Sequence, residues 1–272
     1  MRRMPSFLLL ALYLGTASTA PAQTRIGGLA AGESPPSRLP ISGACPALRS
    51  CVIPEGAVPG GMAWDGSHLW IGLYFGSNTL YQIDPLTCTV VHTIPAPDIN
   101  IGGLAWDGSA LWCLPEQTGT IYRLDPTSGA ILSHIPAPSF GESDPNPSDI
   151  AWDGQFLWHA DYGHGRIYKL DPANGNVITS FPSPSSGPSG VEFADGVLTV
   201  ADFTTDLIYF IDPTIPAVLS SCPSPDSHPW GLASEPSGLW NSGSATSLAY
   251  LLGQAPTPAM RPTWGAVKIS YR

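Results

Sequence analysis

The chain repeats a pattern of about 42 residues, and this periodicity limits the possible folds more than any other feature. Residues 61–70, 103–112 and 149–158 share an Ala-Trp-Asp-Gly motif followed by Leu-Trp, and degraded copies cover residues 190–196 and 231–240. The glycine of the turn recurs at spacings of 42, 46, 42 and 42 residues. A period of this length indicates one supersecondary unit in each copy.

Each copy predicts four antiparallel strands, which we name a to d. The Asp-Gly dipeptide between strands a and b favours a type I′ turn, and apolar and polar positions alternate in strands b and c. An Asp-Pro turn closes strand c onto strand d. The 29 glycines and 30 prolines interrupt helices and serve here as turn residues. Four strands in about 42 residues are typical of a β-propeller blade.

The predicted fold is therefore an all-β propeller with five blades. The fifth copy lacks a strand d, and residues 48–54 are similar to the strand d that precedes the second copy. We expect this N-terminal segment to complete the last blade and close the ring. The predicted propeller domain covers residues 45–261, with blades at about residues 61–97, 102–138, 148–184, 188–225 and 229–254 plus 48–54.

The two ends of the chain have different patterns from the repeats. Residues 1–22 contain two arginines, a short apolar run and a small-x-small site ending at Ala22, as in a secretory signal peptide. The apolar run is too short to span a membrane. We expect cleavage near Ala22, a flexible leader over residues 23–44 and a monomer that is secreted or periplasmic. Residues 262–272 are predicted to form a tail, either an added strand or a short docking helix.

The charge balance narrows the possible partners. The whole chain has a net charge of −10, which becomes about −12 when the two arginines of the signal segment are removed. Nucleic acids and anionic membrane surfaces require basic patches, so this balance excludes them as expected partners. Cations and basic ligands are favoured instead.

Five cysteines, an odd number, are present in a chain predicted to be exported. At least one is expected to remain unpaired in a monomer, and the pairing of the others is left open. Their spacing matches no structural zinc motif. The five are Cys45, Cys51, Cys88, Cys113 and Cys222.

The blade pattern resembles a known type of repeat. Residues 157–172 read Leu-Trp-x-Ala-Asp-x-Gly-x-x-x-Ile-Tyr-x-Leu-Asp-Pro, which is similar to the blades of secreted NHL-like and YncE-like propellers. This resemblance covers residues 48–252 and implies the propeller fold. Relatives with similar blades include the gluconolactonase group, virginiamycin B lyase and five-bladed glutaminyl cyclotransferases. None of their catalytic motifs matches this chain residue by residue.

The repeat also separates scaffold residues from candidate site residues. Aspartates and tryptophans that recur at equivalent positions are interpreted as turn and packing residues. Eight aspartates belong to this class: Asp65, Asp107, Asp153 and Asp195 in the a–b turns, and Asp84, Asp125, Asp171 and Asp212 in the c–d turns.

Four acidic residues break the pattern. Glu192 replaces an alanine of strand a, Asp149 replaces a glycine, and Asp161 and Asp202 share one position at the end of strand b. All four belong to the third and fourth copies, so they are candidates to converge at one side of the channel mouth. Carboxylates gathered in this way repel one another unless they share a proton or a cation, and Ca²⁺ accepts such ligands. We predict a calcium or cationic-ligand site here, with capping of the b–c turn as the structural alternative.

Two histidines and one tryptophan complete the candidates. His159 and His164 flank Asp161 and are interpreted as a strand residue and an exposed turn residue, with a role as general base as the alternative for both. Trp230 follows His228 in a predicted d–a loop, where aromatic residues often bind ligands.

In a propeller the b–c and d–a connections share one face, which we call the loop face, and the a–b and c–d turns share the other, which we call the turn face. Ten acids outside the turns fall in or beside the loop face. Two functional hypotheses follow. The first is an exported, non-catalytic binding or scaffold propeller that presents the acidic loop face to a protein, peptide, glycan or cation. The second is a metal-assisted lactonase or lyase.

Overall fold

The computed structural model describes residues 45–138 and 147–253. These residues form an all-β structure of five four-stranded antiparallel sheets, which confirms the predicted five-bladed propeller. The predicted signal peptide, leader and C-terminal tail lie outside the described residues, as do Glu142 and Asp144. None of the described segments forms a helix with the length and apolar character that a membrane crossing requires.

The strands follow the predicted order a to d within each blade. Blade one contains β2 (Val58–Trp64), β3 (Leu69–Phe75), β4 (Thr79–Ile83) and β5 (Val90–Pro95). Blade two contains β6 (Ile101–Trp106), β7 (Leu111–Pro115), β8 (Thr120–Leu124) and β9 (Ile131–Pro136). Blade three contains β10 (Pro147–Trp152), β11 (Leu157–Asp161), β12 (Arg166–Leu170) and β13 (Val177–Pro182). Blade four contains β14 (Pro188–Ala194), β15 (Val197–Asp202), β16 (Leu207–Asp212) and β17 (Ala217–Pro223).

Blade five combines both ends of the domain. Its strands are β18 (Pro229–Glu235), β19 (Gly238–Gly243), β20 (Leu248–Leu252) and β1 (Ala47–Val52), and one 3₁₀ turn, Pro54–Gly56, links β1 to β2. β1 pairs antiparallel with β20, with Cys51 opposite Ala249. The N-terminal strand therefore closes the ring, as the sequence predicts.

The five inner strands β2, β6, β10, β14 and β18 contact one another in sequence around the ring and enclose a central channel. Glycines allow their close approach. A Cβ atom added at Gly190 would lie 2.0 Å from the carbonyl oxygen of Trp230, and one at Gly231 would lie 2.3 Å from that of Gly60. Blade three has Asp149 at the equivalent position, so it places a side chain inside the ring where the other four blades have glycine.

The apolar core lies between the blades. Each of the five buried clusters among the described residues draws its side chains from two neighbouring blades, so every interface around the ring has its own core. Ala63, Trp70 and Leu80 of blade one, for example, pack against Leu104 and Leu111 of blade two. Burial of each large apolar side chain contributes about 1.5–3 kcal/mol, so the blades stabilise one another rather than folding alone.

The a–b turns differ from the predicted type I′ geometry in the first three blades. A type I′ turn needs positive φ at both central residues, but only the glycine has it in blade one, where Gly66 has φ +100°. The Asp65 side chain instead accepts hydrogen bonds from the backbone N–H groups of Ser67 (2.9 Å) and His68 (2.8 Å) and lengthens the turn. The prediction holds in blade four, where Asp195 (φ 52°) and Gly196 (φ 79°) form a two-residue turn.

The acidic residue of the a–b turn also accepts a hydrogen bond from a tryptophan of the same blade. Trp70 Nε1 donates to Asp65 Oδ2 at 3.0 Å, and Trp158 Nε1 donates to Asp153 Oδ2 at the same distance. Glu235 takes this role in blade five. These contacts confirm the scaffold interpretation for the a–b turn acids and the strand-b tryptophans that make them.

Two disulfides connect the segment that contains the closing strand β1 to the two neighbouring blades, one and four. Cys51 is bonded to Cys88 in the c–d turn of blade one, and Cys45 is bonded to Cys222 in the outer strand of blade four. Cys113 is buried and unpaired, as the odd count requires. Disulfides of this kind are typical of extracellular or periplasmic proteins.

Candidate functional site

An aromatic pocket of about 340 Å³ opens on the loop face. Four of its seven lining residues come from one repeat position, which lies near or directly after the end of strand b. We call the five residues at this position the rim residues; they are Tyr74, Glu116, Tyr162, Phe203 and Ser244, and all of them except Glu116 line the pocket. Val58, Phe75 and Trp230 complete the pocket.

Trp230 forms the floor of the pocket. Its indole Nε1 donates to the carbonyl oxygen of Gly102 at 3.3 Å, so the side chain reaches from blade five across the channel axis to blade two. Tyr74 lies 4.8 Å from the Trp230 ring, and Phe203 packs against it edge-on at 5.8 Å. The floor is therefore a fixed apolar platform, whereas Phe75 at the rim is 60% exposed.

The Tyr74 hydroxyl donates a hydrogen bond to Glu116 Oε2, so a carboxyl group lies next to the pocket, behind the Tyr74 side chain that lines it. Burial raises the pKa of Glu116 above its usual range, and the bond from Tyr74 offsets part of this shift. Burial, together with the neighbouring carboxylate, also raises the pKa of Tyr74. A carboxyl group in such surroundings keeps its proton to a higher pH than usual, and in its ionised form it can pair with a bound cation.

One of the predicted ligand-binding residues, Trp230, lines this pocket, and a second, His228, contacts the pocket residue Phe203. Trp230 is the second residue of β18 and not part of the preceding loop, and only 8% of its surface is exposed. His228 is exposed on the loop, with its ring 4.3 Å from that of Phe203. The rim residues were not predicted, because they lie one position after Asp161 and Asp202, the position at which the copies were compared.

The structure places Asp161 and Asp202 in the b–c turns. Asp202 Oδ1 accepts from the backbone N–H groups of Thr204 (3.0 Å) and Thr205 (2.9 Å), and Asp161 accepts from the His164 backbone at 3.2 Å. His164 Nδ1 also lies 2.9 Å from Asp161 Oδ2. These hydrogen bonds agree with the structural alternative, in which both aspartates cap the b–c turns.

Asp149 and Glu192 lie inside the channel. Asp149 Oδ2 accepts from the Val191 N–H at 3.0 Å and Oδ1 from the Ile150 N–H at 2.9 Å. Burial raises the pKa of Asp149 well above its usual range, and the charge of Glu192 adds to this effect. Burial likewise raises the pKa of Glu192 to about 8. Glu192 lines a cavity at the turn-face end of the channel, away from the turns that hold Asp161 and Asp202.

His159 is fully buried on β11. Its Nδ1 lies 3.1 Å from the carbonyl oxygen of Asp149, and its Nε2 has no hydrogen-bond partner among the described residues. Burial lowers the pKa of His159 to about 4, against the opposing charge of Asp161. The histidine is therefore neutral at physiological pH and sits in the strand position held by Ile71 in blade one.

No group of three metal-ligating side chains occurs within residues 45–138 and 147–253. The predicted calcium site formed by Asp149, Asp161, Glu192 and Asp202 stays a prediction.

Charge is distributed unevenly between the two faces. Residues 45–138 and 147–253 contain four Lys and Arg and eighteen Asp and Glu. Arg123 and Lys169 pair on the turn face with Asp107 (2.6 Å) and Asp153 (2.7 Å). Arg166, the first residue of β12, lies at the loop-face end of blade three and donates to Ser180 Oγ at 2.7 Å.

Comparisons with known proteins identify the class of the fold. No family profile matches the chain, and no curated protein matches it in sequence. The solved structure of Myxococcus xanthus glutaminyl cyclase superposes with a TM-score of 0.64 at 16% identity, over 76% of this chain and 94% of that one. A chain of the mitotic checkpoint complex gives 0.51 at 12% identity, over 87% and 99%. Virginiamycin B lyase from Staphylococcus aureus gives 0.47 at 17% identity, over 75% and 69%.

At sequence identities as low as these, the similarity shows a common fold and nothing more. The class defined by the fold is the β-propeller, and the matched structures include a glutaminyl cyclase and a chain of the mitotic checkpoint complex.

Proposed function

We propose that this protein is an exported, non-catalytic binding propeller whose loop face captures a basic peptide in the aromatic pocket. The observation that carries the proposal is the ring of rim residues, because four of the five blades place an aromatic ring or a carboxyl group at this one position. The b–c turn does not require an aromatic ring or a carboxyl group at this position. Export is supported by the predicted signal peptide and by the two disulfides around β1.

The pocket chemistry favours a side chain with an apolar body and a cationic end. The platform of Trp230, Tyr74 and Phe203 offers ring surface for an alkyl or aromatic group. Glu116 supplies a carboxyl group at the side of that platform. Lysine and arginine side chains combine these features, and cation–π contacts with the rings would add about 0.5–2 kcal/mol. A volume of about 340 Å³ is within the range of ligand sites.

The proposal is tested by calorimetric titration with a terminally blocked Lys-Phe-Lys peptide. We expect Phe203→Ala to weaken binding about tenfold or more, because it removes a ring from the centre of the platform. Leu86→Ala is the matched control, since Leu86 is a 76% exposed apolar residue of a c–d turn on the opposite face. Glu116→Gln should weaken binding most strongly at low salt.

Two results would contradict the peptide proposal. One is equal binding of a blocked Glu-Phe-Glu peptide. The other is an equal loss of affinity in the Phe203 and Leu86 variants.

A second candidate function is acid–base catalysis on the bound ligand. The supporting observation is Glu116, whose carboxyl group has a raised pKa and accepts a hydrogen bond from the pocket residue Tyr74. Because the fold is similar to that of a glutaminyl cyclase, peptides with N-terminal glutamine are the first substrates to test. Turnover by the native protein that disappears in Glu116→Gln would favour this candidate; binding without turnover would favour the first. The metal-assisted lactonase or lyase remains a hypothesis from the sequence.

A further inference from the structure

A groove of about 110 Å³ lies between blades four and five on the turn face. Its walls come from the a–b hairpin and strand c of each blade, and the lining is mainly apolar, with Phe210 and Leu239 among its residues. Cys45 and Gly253, at which the described part of the chain begins and ends, also border it. We call this space the terminal groove.

The other four blade interfaces fill the corresponding place with two aromatic rings. One ring is the strand-b tryptophan of one blade, and the other lies at the end of strand a of the next blade. Between blades three and four, Trp158 and Phe193 are stacked with their ring centroids 6.3 Å apart. The other three pairs each pack into one apolar cluster; they are Trp70 with Trp106, Trp112 with Trp152, and Trp240 with Trp64. Between blades four and five the same two positions hold Thr199 and Ser234, and both line the terminal groove.

The acid of the a–b turn in blade four also lacks the partners that this acid has in blades one to three. There it accepts a hydrogen bond from the strand-b tryptophan and contacts a polar residue of strand c that is paired with this tryptophan. The polar residues are Gln82, Arg123 and Lys169. In blade four the paired residues are Thr199 and Phe210, so Asp195 has neither an indole nor a polar strand-c residue beside it. The terminal groove thus lacks an indole and has an exposed carboxylate at its edge that can accept from one.

We propose that Trp264 of the C-terminal segment occupies the terminal groove and supplies the missing indole, with its Nε1 donating to the Asp195 carboxylate. A buried cavity of about 150 Å³ accepts benzene, so an open groove of about 110 Å³ has the size for one aromatic ring. The segment has the necessary reach. Trp264 lies eleven positions beyond Gly253, which borders the groove, and eleven residues span up to about 36 Å.

Composition and charge favour this segment over the other end of the chain. Residues 23–44, which precede Cys45, contain no aromatic residue. Residues 254–272 contain no acid and three basic residues, Arg261, Lys268 and Arg272. The groove is bordered by two acids, Asp195 and Glu235, so its charge complements that of the C-terminal segment.

The test is fluorine NMR of the full chain labelled with fluorotryptophan, with a soluble gadolinium chelate that broadens the resonances of exposed rings. The Trp264 resonance is assigned by its absence in Trp264→Phe. We expect this resonance to be shielded from the chelate in the native protein. Thr199→Trp restores the residue of the other four blades and fills the groove, so it should expose Trp264; its melting temperature shows whether it folds.

Asp195→Ala tests the hydrogen bond and, at an exposed turn position, leaves the core intact. We expect it to raise the exposed fraction of Trp264 about tenfold, because a bond to a charged acceptor is lost. Leu86→Ala, in the exposed c–d turn of blade one, is the matched control and should leave Trp264 shielded.

Three results would overturn the proposal. The first is a Trp264 resonance that the chelate broadens in the native protein as strongly as it broadens free fluorotryptophan. The second is a Trp264 that stays shielded in a folded Thr199→Trp variant or, if that variant does not fold, in Asp195→Ala. The third is a saturable stabilisation of the native protein by free indole that Thr199→Trp abolishes, which would assign the groove to an outside ligand. Each of these outcomes is independent of peptide binding on the loop face.

Discussion

Reduction of the two disulfides is expected to remove most of the stability of the propeller. The bonds close loops of 37 and 177 residues, for which the chain-entropy relation gives about 4 and about 5 kcal/mol. Domains of this size are commonly stable by only about 5–15 kcal/mol in total. Both bonds also hold β1, the strand that closes the ring, so their loss acts on the whole domain.

The disulfide prediction is measured by guanidinium unfolding with and without dithiothreitol. The Cys45→Ala/Cys222→Ala variant should lose more stability than Cys51→Ala/Cys88→Ala, because it opens the longer loop. A variant lacking all four cysteines should no longer respond to the reductant. Cys113→Ala is the control, since Cys113 is buried and unpaired and its removal should leave the effect of reduction intact. Equal unfolding midpoints with and without reductant would contradict the role assigned to these bonds.

His159 is expected to make the protein less stable in acid. Its pKa is about 4 in the folded state against 6.5 in the unfolded chain, so the unfolded chain binds more protons between these values. Stability from this group is complete above pH 6.5 and falls as the pH drops to about 4. At about 1.4 kcal/mol per unit, the loss reaches about 3 kcal/mol.

The test compares the native protein with His159→Ile, the residue that blade one has at this position. Glu192 has a raised pKa and acts in the opposite direction, since its contribution is lost as the pH rises from 4.5 to about 8. Both proteins contain Glu192, so its effect cancels when their free energies of unfolding are subtracted. We expect the free energy of unfolding of the variant, relative to that of the native protein, to rise by about 3 kcal/mol as the pH is lowered from 7 to 4. His134→Gln, at an exposed position of β9, is the control; a constant difference for His159→Ile across this range would contradict the prediction.

Much of the fold could be read from local patterns. The spacing of the turn glycines, the alternation in strands b and c and the missing strand d together predicted five blades and the closure by β1. The type I′ turn failed in the first three blades because the aspartate side chain competes for the backbone N–H groups that follow it. That competition depends on side-chain geometry, which the dipeptide alone does not specify.

The candidate site was only partly predictable. Comparison of equivalent positions identified Glu192 and Asp149 as exceptions to the repeat, and both lie in the channel. The same comparison, made one residue further along, would have identified the rim residues. It would not have revealed that Trp230 crosses the axis to Gly102, because the two residues are 128 positions apart.

The sequence by itself determined the blade number, the strand order and the strand that closes the ring, because these depend on short-range spacing that recurs in every copy. Only the tertiary structure decided which pattern-breaking residues meet. Five blades arranged around one axis bring equivalent positions together from distant parts of the chain. The same geometry separates the loop face from the turn face, so carboxylates of one blade, such as Glu192 and Asp202, come to lie toward opposite ends of the channel.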